Sequence, residues 1–112
     1  MPRGSMKQRP KSRPTSPAAQ SAEQKSGVAE VVWTRRAGED RDYWRTHDGR
    51  LAERVERIVA DIVEHPVSGV GKPEPLKRDW SGYWSRRITN EHRLVYRVEA
   101  GVLYILQARY HY

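Results

Sequence analysis

The pattern of hydrophobic and polar residues is clearest between Tyr83 and Val98. Within residues 92–98 apolar and polar side chains alternate, which is the period of a strand with one buried face. An aromatic and β-branched run precedes it at residues 83–88, and the polar segment 89–91 has the length of a hairpin loop. The second strand carries Leu94, Tyr96 and Val98 on one face and Arg93, Val95 and Arg97 on the other. The stretch predicts a β-hairpin that buries one face and presents arginine from the other.

A second pattern, upstream of the hairpin, has the period of a helix. Residues 50–65 place apolar side chains three and four positions apart, with charged side chains between them. The apolar stripe consists of Leu51, Val55, Ile58, Val59, Ile62 and Val63. Pro66 ends this helix, because proline has no backbone N–H to donate. Residues 35–47 predict a first helix with Thr34 as its N-cap, and Asp48 and Gly49 mark the break between the two helices.

Two further strands complete the predicted order of elements. Residues 28–33 form a β-branched run, and residues 102–108 form an apolar run after a turn at Gly101. The order is strand, two helices and three strands. We expect an α+β fold in which a small antiparallel β-sheet has the two N-terminal helices packed on one face. The other face of the sheet would then present the arginines.

Positive charge is concentrated near the N-terminus. The chain has 112 residues and a formal net charge of +7, and residues 1–28 contribute +5 of it from six Lys or Arg and one Glu. This segment is rich in Pro, Ser and Gln and nearly free of large apolar side chains, so we expect a disordered basic tail followed by a single domain of residues 29–112. Its first six residues resemble the protease-site remnant of an expression tag, which would put the native start at Met6 or later.

The composition argues against several classes of protein. The sequence has no cysteine, which excludes a disulfide framework and a thiolate metal site. No apolar run approaches the ~20 residues of a membrane span. The N-terminal segment lacks the apolar stretch of a secretory signal. We expect a cytoplasmic protein with no membrane contact.

Three residue types fit the chemistry of RNA cleavage. Glu74 lies between Pro73 and Pro75 in a loop, arginines follow one sheet face, and His111 follows the last strand. Cutting RNA without a metal needs a base for the ribose 2′-OH, a cation for the charge that develops at the phosphate and an acid for the departing 5′-oxygen. Carboxylate, guanidinium and imidazole supply these roles, since histidine titrates near neutrality. The spacing alone is not specific, because loop glutamates and arginines on a sheet face are also typical of a solvated surface.

Four motifs carry a resemblance to a known family. They are GKPEPLK at residues 71–77, SGYWSRRI at 81–88, EHRLVY at 91–96 and RYHY at 109–112. In this order and register, residues 29–112 resemble the YoeB/Txe branch of the RelE-like bacterial toxins. The resemblance implies a toxin of a type II toxin–antitoxin system with a microbial-ribonuclease-like fold, which binds the ribosome, cuts mRNA in the A site and inhibits translation.

The resemblance also implies roles for individual residues. The general base falls on Glu74, the phosphate-stabilising cation on Arg93 and the general acid on His111. The terminal residue Tyr112 contributes to the site. Three further residues match positions that line the same cleft and are expected to bind substrate: Lys77, Arg87 and Glu91. No metal and no cofactor are implied.

Partners are implied by the same resemblance. They are an antitoxin of the YefM/Axe type, the ribosome with its mRNA, and a second copy of the chain in a homodimer. The chain departs from the family at residues 1–28, which have no counterpart, and at Gln107 and Ala108, where many relatives have Ala-Cys. Codon preference, antitoxin identity and physiological role are not readable from the sequence.

Two other functions fit the pattern of residues without the resemblance. A small basic sheet can bind RNA or the ribosome without cutting it. A purely structural interaction protein can carry arginines only for solubility. Cleavage and ribosome affinity distinguish the three possibilities.

Overall fold

The computed structural model describes residues 27–110, which form two α-helices and five strands. In chain order these are β1 (Glu30–Trp33), α1 (Arg35–His47), α2 (Gly49–Glu64), β2 (Glu74–Pro75), β3 (Trp84–Arg87), β4 (Arg93–Glu99) and β5 (Val102–Gln107), with a 3₁₀ turn at Arg78–Trp80 before β3. The predicted strand, two helices and three strands are all present, but the structure adds β2, a short strand at Glu74–Pro75, where the sequence predicted only a loop. Pairing with β3, rather than any local pattern, makes these two residues a strand. Of the predicted tail, only Gly27 and Val28 belong to the described residues, and Val28 packs against the core.

The five strands form one sheet in the order β1-β5-β4-β3-β2. Three pairings are antiparallel, as expected, whereas β1 pairs with β5 in parallel. The sheet is therefore mixed. A parallel pairing needs a long connection, and α1 and α2 begin the segment that separates β1 from the rest of the sheet.

Both helices begin at residues whose side chains cap them. The Thr34 hydroxyl accepts the Ala37 N–H at 3.2 Å and lies 3.0 Å from the carbonyl oxygen of Ile105, so it also joins α1 to β5. The Asp48 carboxylate accepts the N–H groups of Arg50 and Leu51. The caps satisfy N–H groups that have no partner within a helix, which is why each helix begins where it does.

The core lies between the helices and one face of the sheet. Its buried residues are Ala37, Trp44, Val55, Ile58, Val59, Ile62, Ile88, Leu94, Tyr96, Leu103, Ile105 and Ala108. The apolar stripe predicted for α2 supplies four of them, and the predicted inner face of β4 supplies Leu94 and Tyr96. The opposite face of the sheet is called the outer face below. Among residues 27–110, neither helix is long and apolar enough to cross a membrane.

Candidate active site

The outer face brings Glu74 and the arginines of the hairpin to the same side of the sheet. Glu74 pairs with Ser85, and Ser85 pairs with Val95. Arg87 pairs with Arg93 two residues further along the same strands. Directly opposed residues share a face, as do alternate residues of one strand. The sheet register therefore places Glu74, Arg87 and Arg93 on one surface.

The register also fixes the scale of this surface. Glu74 and Arg93 are separated by two strand spacings and two residues of offset, so their Cα atoms lie about 12 Å apart. Glu74 is exposed, and no hydrogen bond or ion pair joins its carboxylate to any of residues 27–110. A carboxylate and a guanidinium on long side chains can approach one small group, such as a phosphate, from both sides across this distance.

The loop that contains β2 is hydrogen-bonded on both sides of Glu74, to Arg87 in β3 and to Tyr83 just before β3. Before Glu74, the Gly71 carbonyl accepts the N–H of Arg87 at 2.7 Å; after it, the Leu76 N–H donates to the carbonyl of Tyr83 at 2.9 Å. Gly71 has φ +81°, and a Cβ atom there would lie 3.1 Å from the carbonyl oxygen of Arg87. Glycine is thus required for the loop to approach the strand so closely.

Arg86 ties the first half of the same loop to the helix layer. Its side chain is completely buried on the inner face. Its guanidinium donates to Asp61 at 2.5 Å, to the carbonyls of His65, Ser68 and Val70, and to the Tyr96 hydroxyl at 3.2 Å. One side chain therefore holds the C-terminal part of α2, the loop after it and the sheet in a fixed arrangement.

Two ionisable groups around Arg86 have shifted pKa values. Burial raises the pKa of Asp61, but hydrogen bonds from Arg86 and the Val70 N–H outweigh it and hold that pKa below its ordinary value. Burial raises the pKa of the Tyr96 hydroxyl, against a smaller lowering by Arg86. The Tyr96 hydroxyl donates to the carbonyl of Pro66 at 2.6 Å. The cluster is thus stable as an ion pair with a neutral phenol.

Arg93 has an unusual environment for an arginine on a sheet face. Its Nε atom is buried and has no hydrogen-bond partner among residues 27–110. Its backbone N–H donates to the carbonyl of Tyr110 at 3.0 Å, which brings the C-terminal end of the described chain beside it. A buried donor without a partner carries a desolvation cost, and a bound anion would remove it.

The other predicted site residues divide into two groups. Arg87 is partly exposed on the outer face, Lys77 is exposed just before the 3₁₀ turn, and Glu91 is exposed in the hairpin loop. His111 and Tyr112 lie outside the described residues, so their predicted roles stay predictions. Residues 27–110 contain no cluster of three or more side chains suited to hold a metal ion.

Sequence reasoning missed the role of Arg86. A signal was present, because Arg86 and Arg87 are adjacent in a strand and must point to opposite faces. One of the two therefore had to enter the core, and an arginine enters a core only with partners for its donors. The carbonyls that accept hydrogen bonds from Arg86 lie in residues 65–70, and no local sequence pattern predicts the backbone path of that segment.

Comparisons with known proteins agree with the fold. The model of a family described as "YoeB-like toxin of bacterial type II toxin-antitoxin system" matches residues 33–112. The chain is 51% identical over 82 residues to Toxin YoeB of Streptomyces coelicolor, covering 73% of this chain and 98% of that protein. Toxin YoeB of Escherichia coli K12 is 45% identical with the same coverage.

Solved structures give the same result. A YoeB/ParE toxin from Agrobacterium tumefaciens has a TM-score of 0.72 at 45% identity, covering 74% of this chain and 99% of that one. The YoeB dimer from Staphylococcus aureus has a TM-score of 0.71 at 35% identity, covering 76% and 99%. Fold, motifs and matches together define a toxin of a bacterial type II toxin–antitoxin system. Within that class the chain belongs to the YoeB-like toxin family.

Proposed function

We propose that this toxin is an endoribonuclease that cuts mRNA in the ribosomal A site and so inhibits translation. The observation that carries the proposal is the shared outer face, where Glu74, Arg87 and Arg93 lie together and the Tyr110 carbonyl accepts the Arg93 N–H. The buried Nε of Arg93, which has no hydrogen-bond partner among residues 27–110, supports an anionic ligand at this point. A phosphodiester of RNA has the required charge and shape.

The reaction follows from the groups available. The Glu74 carboxylate removes the proton from the ribose 2′-OH, and the oxygen so formed attacks the adjacent phosphorus. The bond from phosphorus to the 5′-oxygen breaks, and His111 gives its proton to that oxygen. The products are a 2′,3′-cyclic phosphate and a free 5′-hydroxyl. Arg93 stabilises the added negative charge at the phosphorus centre by charge-assisted hydrogen bonds.

The remaining predicted residues bind substrate in this scheme. Lys77 and Arg87 offer cations for neighbouring phosphates, and Glu91 and Tyr112 are proposed to contact the bound RNA. The nucleophile belongs to the RNA, so the protein needs neither a serine nor a cysteine nucleophile. No step of this scheme uses a metal ion.

Primer extension on mRNA in translating ribosomes tests the proposal. With the protein added, we expect new 3′ ends inside the A-site codon. Cleavage at other positions, or in mRNA that is not on ribosomes, would contradict the proposal. Ribosome binding without any cleavage would instead support a binding module, and the absence of both would support a structural protein.

We also propose that the toxin is bound by an antitoxin of the YefM/Axe type and forms a homodimer when free. Relatives from Staphylococcus aureus, 35–36% identical, have been solved as a YoeB–YefM complex, as a heterotetrameric YoeB–YefM complex and as a YoeB dimer. A protein that acts on translating ribosomes works in the cytoplasm. Sedimentation of the free chain, alone and with a cognate antitoxin, measures both assemblies.

A further inference from the structure

The last described residues, 108–110, are called the C-terminal segment here, and α1 fixes their start. The Asp40 carboxylate accepts the Ala108 N–H at 2.9 Å, and the Trp44 indole N–H donates to the Ala108 carbonyl at 2.7 Å. All three residues are buried. Both backbone groups of Ala108 are therefore satisfied by side chains of one helix, although β5 has already ended at Gln107.

Arg109 is held from two sides. Its guanidinium lies 3.6 Å from the ring centroid of Tyr43 in α1, close enough for a cation–π interaction. Its carbonyl accepts from the Gln107 side-chain amide at 3.2 Å and from Arg36 at 3.3 Å. The segment thus remains attached to α1 beyond the buried core.

Tyr110 is fixed to the start of β4 by both of its backbone groups. Its N–H donates to Nδ1 of His92 at 2.8 Å, and its carbonyl accepts the N–H of Arg93 at 3.0 Å. His92 in turn packs edge-on against Trp44, with 4.9 Å between ring centroids. An imidazole Nδ1 that accepts a hydrogen bond carries no proton, so this contact uses the neutral Nε2–H form of His92.

Burial alone does not account for these contacts. Packing of the core explains why Ala108 is held, because this residue is fully buried. It does not explain why Tyr110 is held, because Tyr110 remains 52% exposed. Segments outside helices and strands are ordinarily more mobile than the elements that they follow. Here three consecutive residues without a strand ladder are tied down one by one, up to the residue before His111.

We propose that His92 is a positioning residue for the cleavage reaction. By accepting the Tyr110 N–H it fixes the peptide that leads into His111, and the contact with Trp44 fixes His92 itself. The inference rests on the proposed role of His111 as general acid. His92 does not touch the reacting atoms in this scheme, and its effect on the rate passes through His111.

Two variants of His92 separate the hydrogen bond from the ring. His92→Phe keeps an aromatic ring against Trp44 but has no acceptor, and His92→Asn keeps an acceptor near the place of Nδ1 but loses the ring. We expect His92→Phe to lower the single-turnover cleavage rate about 10- to 100-fold, the effect of a small displacement of a catalytic group. His92→Asn should retain most of the rate, and neither should change ribosome affinity.

A direct readout accompanies the rate. Amide hydrogen exchange at Tyr110 should be faster in His92→Phe than in the parent and close to the parent value in His92→Asn. Thermal unfolding identifies any variant that fails to fold. If His92→Phe fails to fold, the variant Arg109→Met is used in its place. This change removes the guanidinium from the ring face of Tyr43, outside the core, and is also expected to slow cleavage.

A double-mutant cycle with His111→Gln decides the question. If His92 acts through His111, adding His92→Phe or Arg109→Met to His111→Gln should cause no further loss of rate, measured with excess protein so that slow cleavage is followed to completion. Independent, multiplying losses would overturn the inference while leaving the proposed function intact. A fully active His111→Gln protein would overturn the assignment of the acid instead.

Discussion

Two adjacent arginines in β3 have opposite environments, because neighbouring residues of a strand point to opposite faces. Arg86 is completely buried and donates to an aspartate, three carbonyls and a phenol, whereas Arg87 is partly exposed on the outer face. No hydrogen bond or ion pair joins the Arg87 side chain to another of residues 27–110. The pair allows one residue type to be tested in two roles within a single strand.

Replacing Arg86 should unfold the protein more easily. Arg86→Met is expected to lower the free energy of unfolding by about 3 kcal/mol, because it leaves Asp61 and several carbonyls without their donor. Arg87→Met is the matched control and should change stability by less than about 0.5 kcal/mol. Urea unfolding measures both. Equal effects of the two substitutions would contradict the structural role of Arg86.

Asp61 predicts how stability depends on pH. Its pKa is lowered in the folded state, so it stabilises the protein fully above its unfolded value, about 3.9, and this stabilisation is lost as the pH falls through the folded pKa. The parent should therefore lose more stability between pH 5 and pH 2.5 than Asp61→Asn does. Urea unfolding across that range measures the difference. Identical pH dependences would show that Asp61 is not coupled to folding.

Among the helices and strands, the sequence predicted best those features that depend on interactions between residues close together in the chain. Predicted and observed bounds of α1 are identical, and those of α2 differ by one residue, because Thr34 and Asp48 cap the helices with their own side chains. The alternation of residues 92–98 correctly divides β4 into its two faces. The parallel partner of β1 was not predictable, because pairing with β5 joins residues about 70 positions apart.

The loop before Glu74 can be tested through its glycine. Gly71→Ala is expected to lower the free energy of unfolding by about 1–2 kcal/mol, because φ is +81° and the new Cβ would meet β3. Gly38→Ala is the matched control. It lies in α1 with open space around it, and alanine should stabilise the helix by up to about 1 kcal/mol. Thermal unfolding measures both, and a neutral Gly71→Ala would mean that the loop does not need this conformation.

For the molecule as a whole, the candidate site could be predicted only in part. The residue types were readable from the motifs, and the register of β2, β3 and β4 then placed Glu74, Arg87 and Arg93 on one face. The hydrogen bonds that hold the neighbouring segments in place could not be predicted from the sequence. Arg86 and His92 form hydrogen bonds with backbone carbonyls and amides that are distant in sequence, so no spacing between residue types reveals these contacts.

The domain boundary gives a prediction for the whole chain. Described contacts to the core begin at Val28, and the family match begins at residue 33. Removing residues 1–26 should therefore leave the thermal unfolding midpoint unchanged within about 2 °C, since a sequence nearly free of large apolar side chains can bury little surface. A large drop in the midpoint would show that this segment contributes to the folded structure.

We propose acid–base cleavage on the outer face with Glu74 as the base, and the substitution Glu74→Gln is the sharpest test of this role. The substitution keeps the size of the side chain and removes the base. Exposed Glu64, at the end of α2, provides the matched control Glu64→Gln. Single-turnover cleavage of A-site mRNA and ribosome affinity should be measured for both variants. We expect a loss of about 10²- to 10⁴-fold in rate for Glu74→Gln with unchanged affinity, and no change for Glu64→Gln. An undiminished rate, or equal losses of rate and affinity, would contradict it.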